Sequence, residues 1–310
     1  MGKSEVVATV VEPPVKSTPR SLWYDAYRRL KANKASIVSA VIIYILCIIA
    51  LLANYVAPYS FSDQYMDKIL VGPTPEHWLG TDSLGRDMLS RIIYGARMSM
   101  AVGILTAIIS LVIGLVYGAI SGWVGGRVDA MMMRFVDILY AIPTLVLMIL
   151  VKVVFDSVNV FTNPELKALT SILLALSVVG WVQLARVVRG QVLQVKQMAY
   201  VEASRALGGS SVGIVFRHVL PNILGPIVVL LTFQIPANIL YESFLSFIGL
   251  GLQPPYSSWG VLASEGYKLI RSYPHVIISP GVAIFVAMMA FQFFGDGLRD
   301  ALDPKLRGKV

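Results

Sequence analysis

The chain has little charge for its length and is poor in the residues that build metal and disulfide sites. Charged residues make up 14% of its 310 residues, whereas globular chains carry about 25%. Its single cysteine, Cys47, cannot form an internal disulfide or a paired-cysteine metal site. The three histidines are far apart, and neither H-E-x-x-H nor G-x-S-x-G occurs. These absences argue against a soluble enzyme and against a disulfide-stabilised scaffold.

Apolar residues are abundant instead, at 56% of the chain, which is more than one soluble core of this size can bury. A helix needs about 20 mostly apolar residues to cross a bilayer. Six windows predict transmembrane helices: residues 35–62, 98–126, 131–151, 168–185, 219–241 and 276–295. A seventh, 243–264, follows directly after Glu242 and contains helix-breaking glycines and the pair Pro254-Pro255, so we interpret it as an external, partly apolar loop. The predicted fold is an all-α integral membrane protein with six transmembrane helices.

The basic residues favour one orientation in the membrane. Alternate connecting segments hold 18 and 8 of the 26 lysines and arginines, and the richer set includes both termini. Because basic loops face the cytoplasm, this also explains the net charge of +8 without nucleic acid. The apolar run starts too late and is too long for a cleaved leader. The predicted regions are a cytoplasmic tail with an interfacial helix (1–34), a first span with an external segment (35–97), a five-helix core (98–295) and a cytoplasmic tail (296–310).

Small residues recur every four positions along the second predicted span. Residues at this spacing lie on one helix face and allow close approach of a second helix in lipid. We therefore expect a packing face that includes Gly114, Gly118 and Gly122.

Few charges fall within the predicted spans. Arg134 and Asp137 are three residues apart and share a helix face, which predicts a local ion pair at the entrance of the third span. Glu242 and Asp296 fall at the ends of spans, where water is expected. The sequence contains no series of carboxylates within the membrane, which weakens a proton-coupled mechanism.

The long cytoplasmic stretch 186–217 is organised as two helices around a sharp turn. Good helix formers without proline predict a helix over 191–207, with Glu202 and Arg205 placed for an i,i+3 pair. Gly208-Gly209 ends that helix, since glycine readily adopts the left-handed conformation. Ser210 or Ser211 can cap a second short helix over 212–219.

The residues of this stretch resemble a known family. The sequence YVEASRALG at 200–208, followed by HVLPN at 218–222, resembles the EAA loop of binding-protein-dependent ABC importer permeases, with Ser204 in place of a second alanine. Residues 79–97, 134–143 and 242–260 are similar to the C-type permease subunit of the dipeptide, oligopeptide and nickel group.

The resemblance implies a type I ABC importer permease fold with a cytoplasmic EAA coupling helix inside the loop 200–221. It implies a non-catalytic subunit without cofactor or metal, whose partners are a homologous second permease, two ABC ATPases that bind ATP and Mg²⁺, an external solute-binding protein and the lipid bilayer. The residues expected to couple to the ATPases are Tyr200, Glu202, Ala203, Arg205, Ala206, Leu207 and Gly208.

The cargo implied by the resemblance is a dipeptide or oligopeptide. Nickel, glutathione and oligosaccharides are alternatives within the same family. Outside it, the alternatives are a channel or ion-coupled carrier that needs no ATPase, and an enzyme acting on lipid, for which the sequence offers no convergent polar site.

Overall fold

The structure is a computed structural model that describes residues 22–158, 162–252 and 256–303. The predicted tails therefore lie partly outside the described residues, as does the pair Pro254-Pro255. The described chain is helical, as predicted. Its helices are α1 (Leu22–Ala32), α2 (Lys34–Leu51), α3 (Ala53–Val56), α4 (Met88–Val124), α5 (Gly126–Ala141), α6 (Thr144–Ser157), α7 (Pro164–Lys196), α8 (Ala199–Ala206), α9 (Ser211–Ile214), α10 (Leu220–Leu245), α11 (Trp259–Tyr267) and α12 (His275–Leu302), with π-helical segments at Val215–Val219 and Ser246–Leu250.

Five helices of the described chain are long and apolar enough to cross a membrane: α2, α4, α7, α10 with its flanking segments, and α12. The third predicted span is a bent pair, because α5 and α6 meet at an angle of 92°. Pro143 lies at the bend, and its missing N–H and fixed φ prevent a straight helix. The predicted number of six crossings holds when this pair counts as one span.

The bundle has two distinct ends. The start of α2 and the end of α12 lie together, since a Cβ at Gly297 would touch the side chain of Ser36. We call this end the terminal face. The other end, where α2 ends and α4 begins, is the opposite face; there Arg97 Nε donates to the carbonyl of Ala50 at 3.1 Å. The two described chain ends therefore lie on one side, as an even number of crossings requires.

Side-chain caps move some helix ends away from the predicted limits. α4 begins ten residues before the predicted position 98, because the carboxylate of Asp87 accepts a hydrogen bond from the backbone N–H of Ser90 at 2.7 Å. α2 begins after Asn33, whose side chain accepts from the N–H of Ala35 at 3.0 Å. α12 continues past 295 to Leu302, so the first part of the predicted C-terminal tail is helical.

The predicted external loop 243–264 is only partly correct. Its first eight residues continue α10 as a helix that ends near Gly249, which has φ +88°. After the break, α11 folds back against the beginnings of α4 and α12. Trp259, at the start of α11, is 1% exposed and donates its indole N–H to the carbonyl of Ile92 at 3.1 Å. The first residues of α11 are thus buried in protein.

Candidate coupling site and central cavity

A compact unit of residues 199–219, which we call the coupling segment, connects α7 to α10 at the terminal face. The predicted continuous helix over 191–207 is wrong, because Met198 is extended (φ −75°, ψ 140°) and separates α7 from α8. This break returns the chain towards the bundle. Val201 is consequently fully buried and packs in one cluster with Val195 and Ile214. A straight helix would have carried Val201 away from that core.

The turn of the coupling segment is centred on glycine, as predicted. α8 ends at Ala206, and Gly208 has φ +81°, in the left-handed region that favours glycine. Gly209 N–H donates to the carbonyl of Ser204 at 3.0 Å. Ser210 then caps α9 by accepting from the N–H of Gly213 at 3.2 Å. The predicted second helix over 212–219 exists as α9 followed by a π-helical segment that runs into α10.

Three large apolar side chains of the coupling segment are exposed on the surface of the described chain. Leu207 is 88% exposed, Val212 68% and Phe216 67%. We call these three residues the coupling patch. Tyr200 lies nearby with its ring centroid 6.3 Å from that of His218. The remaining predicted coupling residues of α8 are also at least partly exposed: Glu202, Ala203, Arg205 and Ala206.

Arg205 does not form the predicted pair with Glu202. Its guanidinium lies over the ring of Trp123, 5.2 Å from the centroid, near the end of α4. A cation over an indole face is attracted by the ring quadrupole. Arg205 therefore joins the coupling segment to a long membrane helix, and Glu202 is left exposed.

The predicted packing glycines lie along the contact between α4 and α7. A Cβ on Gly114 would lie 2.7 Å from Leu184 Cβ, one on Gly118 2.5 Å from the carbonyl oxygen of Ala185, and one on Gly122 2.9 Å from that of Arg189. Those distances are shorter than real contacts. Only glycine allows the two backbones to come this close.

Asp137 pairs with a different arginine from the one predicted. Its Oδ1 accepts from Arg186 Nη2 of α7 at 2.7 Å. Among the described residues no ion pair joins it to Arg134, which also lies on α5. The guanidinium of Arg186 also lies 4.1 Å from the ring centroid of Tyr140. The partner is 49 positions away in sequence, so the local i,i+3 rule could not identify it.

A cavity of about 610 Å³ lies between the bend of α5–α6, α7 and α10. Its lining includes Tyr140, Gln183, Gln234 and Asn238 but no charged side chain among the described residues. Gln234 donates its amide N–H to the carbonyl of Gly180 at 3.1 Å, which ties α10 to α7. The described cavity lining is therefore uncharged and mostly apolar, with a few polar side chains.

Glu242 is fully enclosed, contrary to the prediction that it meets water at a span end. The residue is 1% exposed in the continuous α10. Its carboxyl accepts from the hydroxyls of Ser246 at 2.7 Å and Ser99 at 3.0 Å. Hydroxyl donors replace water here. Ser246, one helical turn after Glu242, is the feature of the sequence that could have predicted this arrangement.

The opposite face is held by a buried ionic cluster that no local sequence pattern predicted. We define the opposite-face network as Asp82, Arg86, Arg91 and Glu265. Arg91 Nη1 lies 2.5 Å from Asp82 Oδ2, and its Nη2 lies 3.2 Å from Glu265 Oε1. Arg86 Nε donates to Asp82 at 2.7 Å. The network joins the start of α4 to α11.

Comparison with known proteins identifies the family. The family described as binding-protein-dependent transport system inner membrane component matches residues 114–308. The N-terminal TM domain of oligopeptide transport permease C matches residues 21–73. The chain belongs to the first of these families. It is a multi-pass permease component of an ABC importer.

Two curated relatives of this permease come from Bacillus subtilis (strain 168). The oligopeptide transport system permease protein OppC is 42% identical over 93% of this chain and 91% of the relative. The dipeptide transport system permease protein DppC is 43% identical over 94% and 89%. The glutathione transport system permease protein GsiD of Shigella flexneri serotype 5b (strain 8401) is 39% identical over 96% and 95%.

The fold of this permease is shared with a solved importer. An inward-facing structure of the MetNI methionine ABC transporter contains a chain that superposes with a TM-score of 0.56 at 20% identity, over 70% of this chain and 98% of that one. The type I ABC importer permease fold is therefore the one found.

Proposed function

We propose that this permease carries short peptides across the plasma membrane, driven by ATP that two separate ATPase subunits hydrolyse. The proposal includes a homologous second permease and an external solute-binding protein. Its support for the cargo is the pair of relatives named for oligopeptides and dipeptides, at 42% and 43% identity over nearly the whole chain. ATP and Mg²⁺ belong to the ATPases in this proposal, and the permease itself performs no chemistry.

The observation that supports ATPase docking is the coupling patch. Leu207, Val212 and Phe216 each expose apolar surface on the coupling segment, and large exposed apolar side chains beside charged residues are typical of a protein interface. The coupling segment is anchored to α4 by Arg205 on Trp123 and to α7 and α10 by its buried cluster. A displacement of the patch would therefore move three membrane helices.

The orientation that we propose places the terminal face and both termini in the cytoplasm. Members of the richer set that the structure describes, such as Arg29, Lys196 and Arg299, lie at this end of the bundle, which supports the assignment. ATPases working on cytoplasmic ATP would then meet the coupling segment, and the binding protein would meet the opposite face.

The test is Gly208→Val in the assembled importer. A Cβ at Gly208 would touch nothing within 4 Å, so the substitution acts only through the strained φ of +81°. We expect uptake of trialanine to fall about 10-fold while the chain still inserts and the ATPases still hydrolyse ATP.

The matched control is Gly281→Val in α12, where a Cβ also meets nothing and φ is ordinary. It should leave uptake unchanged. Normal uptake by Gly208→Val would contradict the coupling role. An importer active without any bound ATPase would instead favour the channel or ion-coupled carrier.

A further inference from the structure

Two aspartate–arginine pairs connect α5 to α7, and they differ in how completely their hydrogen-bonding groups are used. Arg189 binds Asp129 through two bonds, Nε to Oδ1 at 2.5 Å and Nη2 to Oδ2 at 2.6 Å. Ser121 donates a further hydrogen bond to Asp129. Both carboxylate oxygens of Asp129 are thus occupied.

The Asp137–Arg186 pair has a single bond, from Nη2 to Oδ1. Among the described residues no hydrogen bond reaches Oδ2 of Asp137, and Arg186 uses one of the five N–H donors that a guanidinium carries. The side chains of Asp137 and Arg186 are 62% and 36% exposed, against 14% for Asp129. This pair can accept a third charged group without being broken.

The open pair lies next to the cavity. Tyr140 and Gln183, which line the cavity, are each three residues from Asp137 and Arg186, so they share helix faces with them. Arg186 lies ten residues before the end of α7, about 15 Å from the terminal face. Arg186 directly follows the predicted span 168–185, so the pair lies at the edge of the membrane, where exposed charges face water or another protein chain more readily than lipid.

We propose that Asp137 and Arg186 form a binding site for the terminal charges of a zwitterionic peptide during its passage. A cargo ammonium binds the free oxygen of Asp137, and a cargo carboxylate binds free N–H groups of Arg186, which Tyr140 keeps in place. Since the described cavity lining is uncharged, a peptide there has lost hydration of its ends. The pair supplies the compensating charges. This inference rests on the proposed peptide cargo.

The first test measures ATP hydrolysed per trialanine imported by the assembled importer in proteoliposomes, with binding protein in excess. We expect this ratio to rise about fivefold in Asp137→Asn and Arg186→Gln, because hydrolysis continues while passage slows. Arg186→Lys keeps the charge and should stay within about twofold of the wild type. The control Asp129→Asn should change uptake and hydrolysis together, leaving the ratio constant. An unchanged ratio in Asp137→Asn and Arg186→Gln would overturn the proposal.

The second test does not depend on those variants being active. In a Cys47→Ala background, which removes the sole cysteine, Asp137→Cys should react with a cationic methanethiosulfonate reagent from water. Trialanine with binding protein should slow that reaction. The control Ile138→Cys, at a neighbouring position that is 57% exposed but points about 100° around α5 from Asp137, should react much more slowly.

No reaction at position 137 in any nucleotide state would place the pair against lipid or the second permease and overturn the inference. Failure of the proposed function gives a different pattern. If the wild-type importer does not take up trialanine, the peptide cargo is wrong, while labelling at position 137 still reports whether the pair faces water.

Discussion

The two ends of this bundle differ in how they place side chains that are costly in their surroundings: charged side chains are buried at one end, and an apolar side chain is exposed at the other. At the opposite face, four charged residues that could have been exposed are drawn together, and Arg91 and Asp82 are each 1% exposed. At the terminal face, Leu207 is an apolar side chain that could have been buried and is 88% exposed. The charged cluster at one end is completed by the chain's own atoms, whereas the coupling patch at the other end is left uncovered.

This contrast separates residues that hold the fold from residues that are available to other molecules. A buried ionic network needs every member, because removing one leaves an uncompensated charge. An exposed apolar patch contributes little to the stability of the chain that carries it and much to an interface that covers it. Substitutions at the two ends should therefore change different measurements.

The largest effect is expected from Arg91→Ala, which removes the shared partner of Asp82 and Glu265 in the opposite-face network. Stability should fall by about 3 kcal/mol, since Asp82 and Glu265 lose a buried partner and keep only Arg86. Thermal unfolding of the detergent-solubilised protein measures it. The exposed Arg271→Ala is the control, and equal melting temperatures for the two variants would show that the network does not hold this face.

Gly118→Leu should have the next largest effect, because it acts on the contact between α4 and α7 that joins the two ends. Its Cβ would lie 2.5 Å from the carbonyl oxygen of Ala185, and overpacking of this kind costs about 1–3 kcal/mol. The yield of folded, assembled importer should drop. Gly281→Leu, in open space on α12, should assemble normally. If Gly118→Leu assembles normally, the glycines of α4 are not required for its packing against α7.

Leu207→Asp should leave the melting temperature unchanged but weaken ATPase association about 10-fold, or about 1.4 kcal/mol. The amount of ATPase that co-purifies with the permease is the measurement. Met66→Asp is the matched control, since Met66 is 73% exposed at the opposite face. If both variants lose ATPase equally, the comparison between the two ends fails.

Glu76→Gln should have the smallest effect. Lys68 donates a hydrogen bond to this exposed carboxylate and so lowers the pKa of Glu76 below its usual range. The stabilisation of the fold by the Lys68–Glu76 pair is therefore present above the unfolded pKa of Glu76, about 4.3. It is lost as the pH falls through the lower pKa of the folded state. Melting curves of the variant and the wild type should differ slightly at neutral pH and converge in acid. A difference that grows in acid would contradict this sign.

Local features of the sequence predicted the parts of the fold that local physics controls. The apolar window 35–62 contains nearly all of α2, and the Gly208 turn follows from the conformational freedom of one residue. The bend at Pro143 could have been predicted by the same logic, since proline within a span disrupts its helix. Counting apolar residues across a window gives a single proline too little weight to reveal such a bend.

The candidate sites were predicted less completely, because their partners are distant in sequence. Asp137 has an arginine three residues before it, yet binds Arg186 on another helix. Glu242 falls between two apolar windows, yet is enclosed by Ser99 of α4 and its own helix. For Asp137 the local rule named Arg134, and for Glu242 it predicted water; in both cases the packing of helices supplied a different partner.

By itself, the sequence determined that this is an integral membrane protein, how many times the chain crosses the membrane and where its glycine turn lies. Those properties depend on the apolar content of about 20 adjacent residues or on the backbone of one. Only the tertiary structure decided which charges are buried, which keep free hydrogen-bonding groups and which apolar side chains are exposed. Such outcomes depend on distances between helices, and these are set when the whole bundle packs.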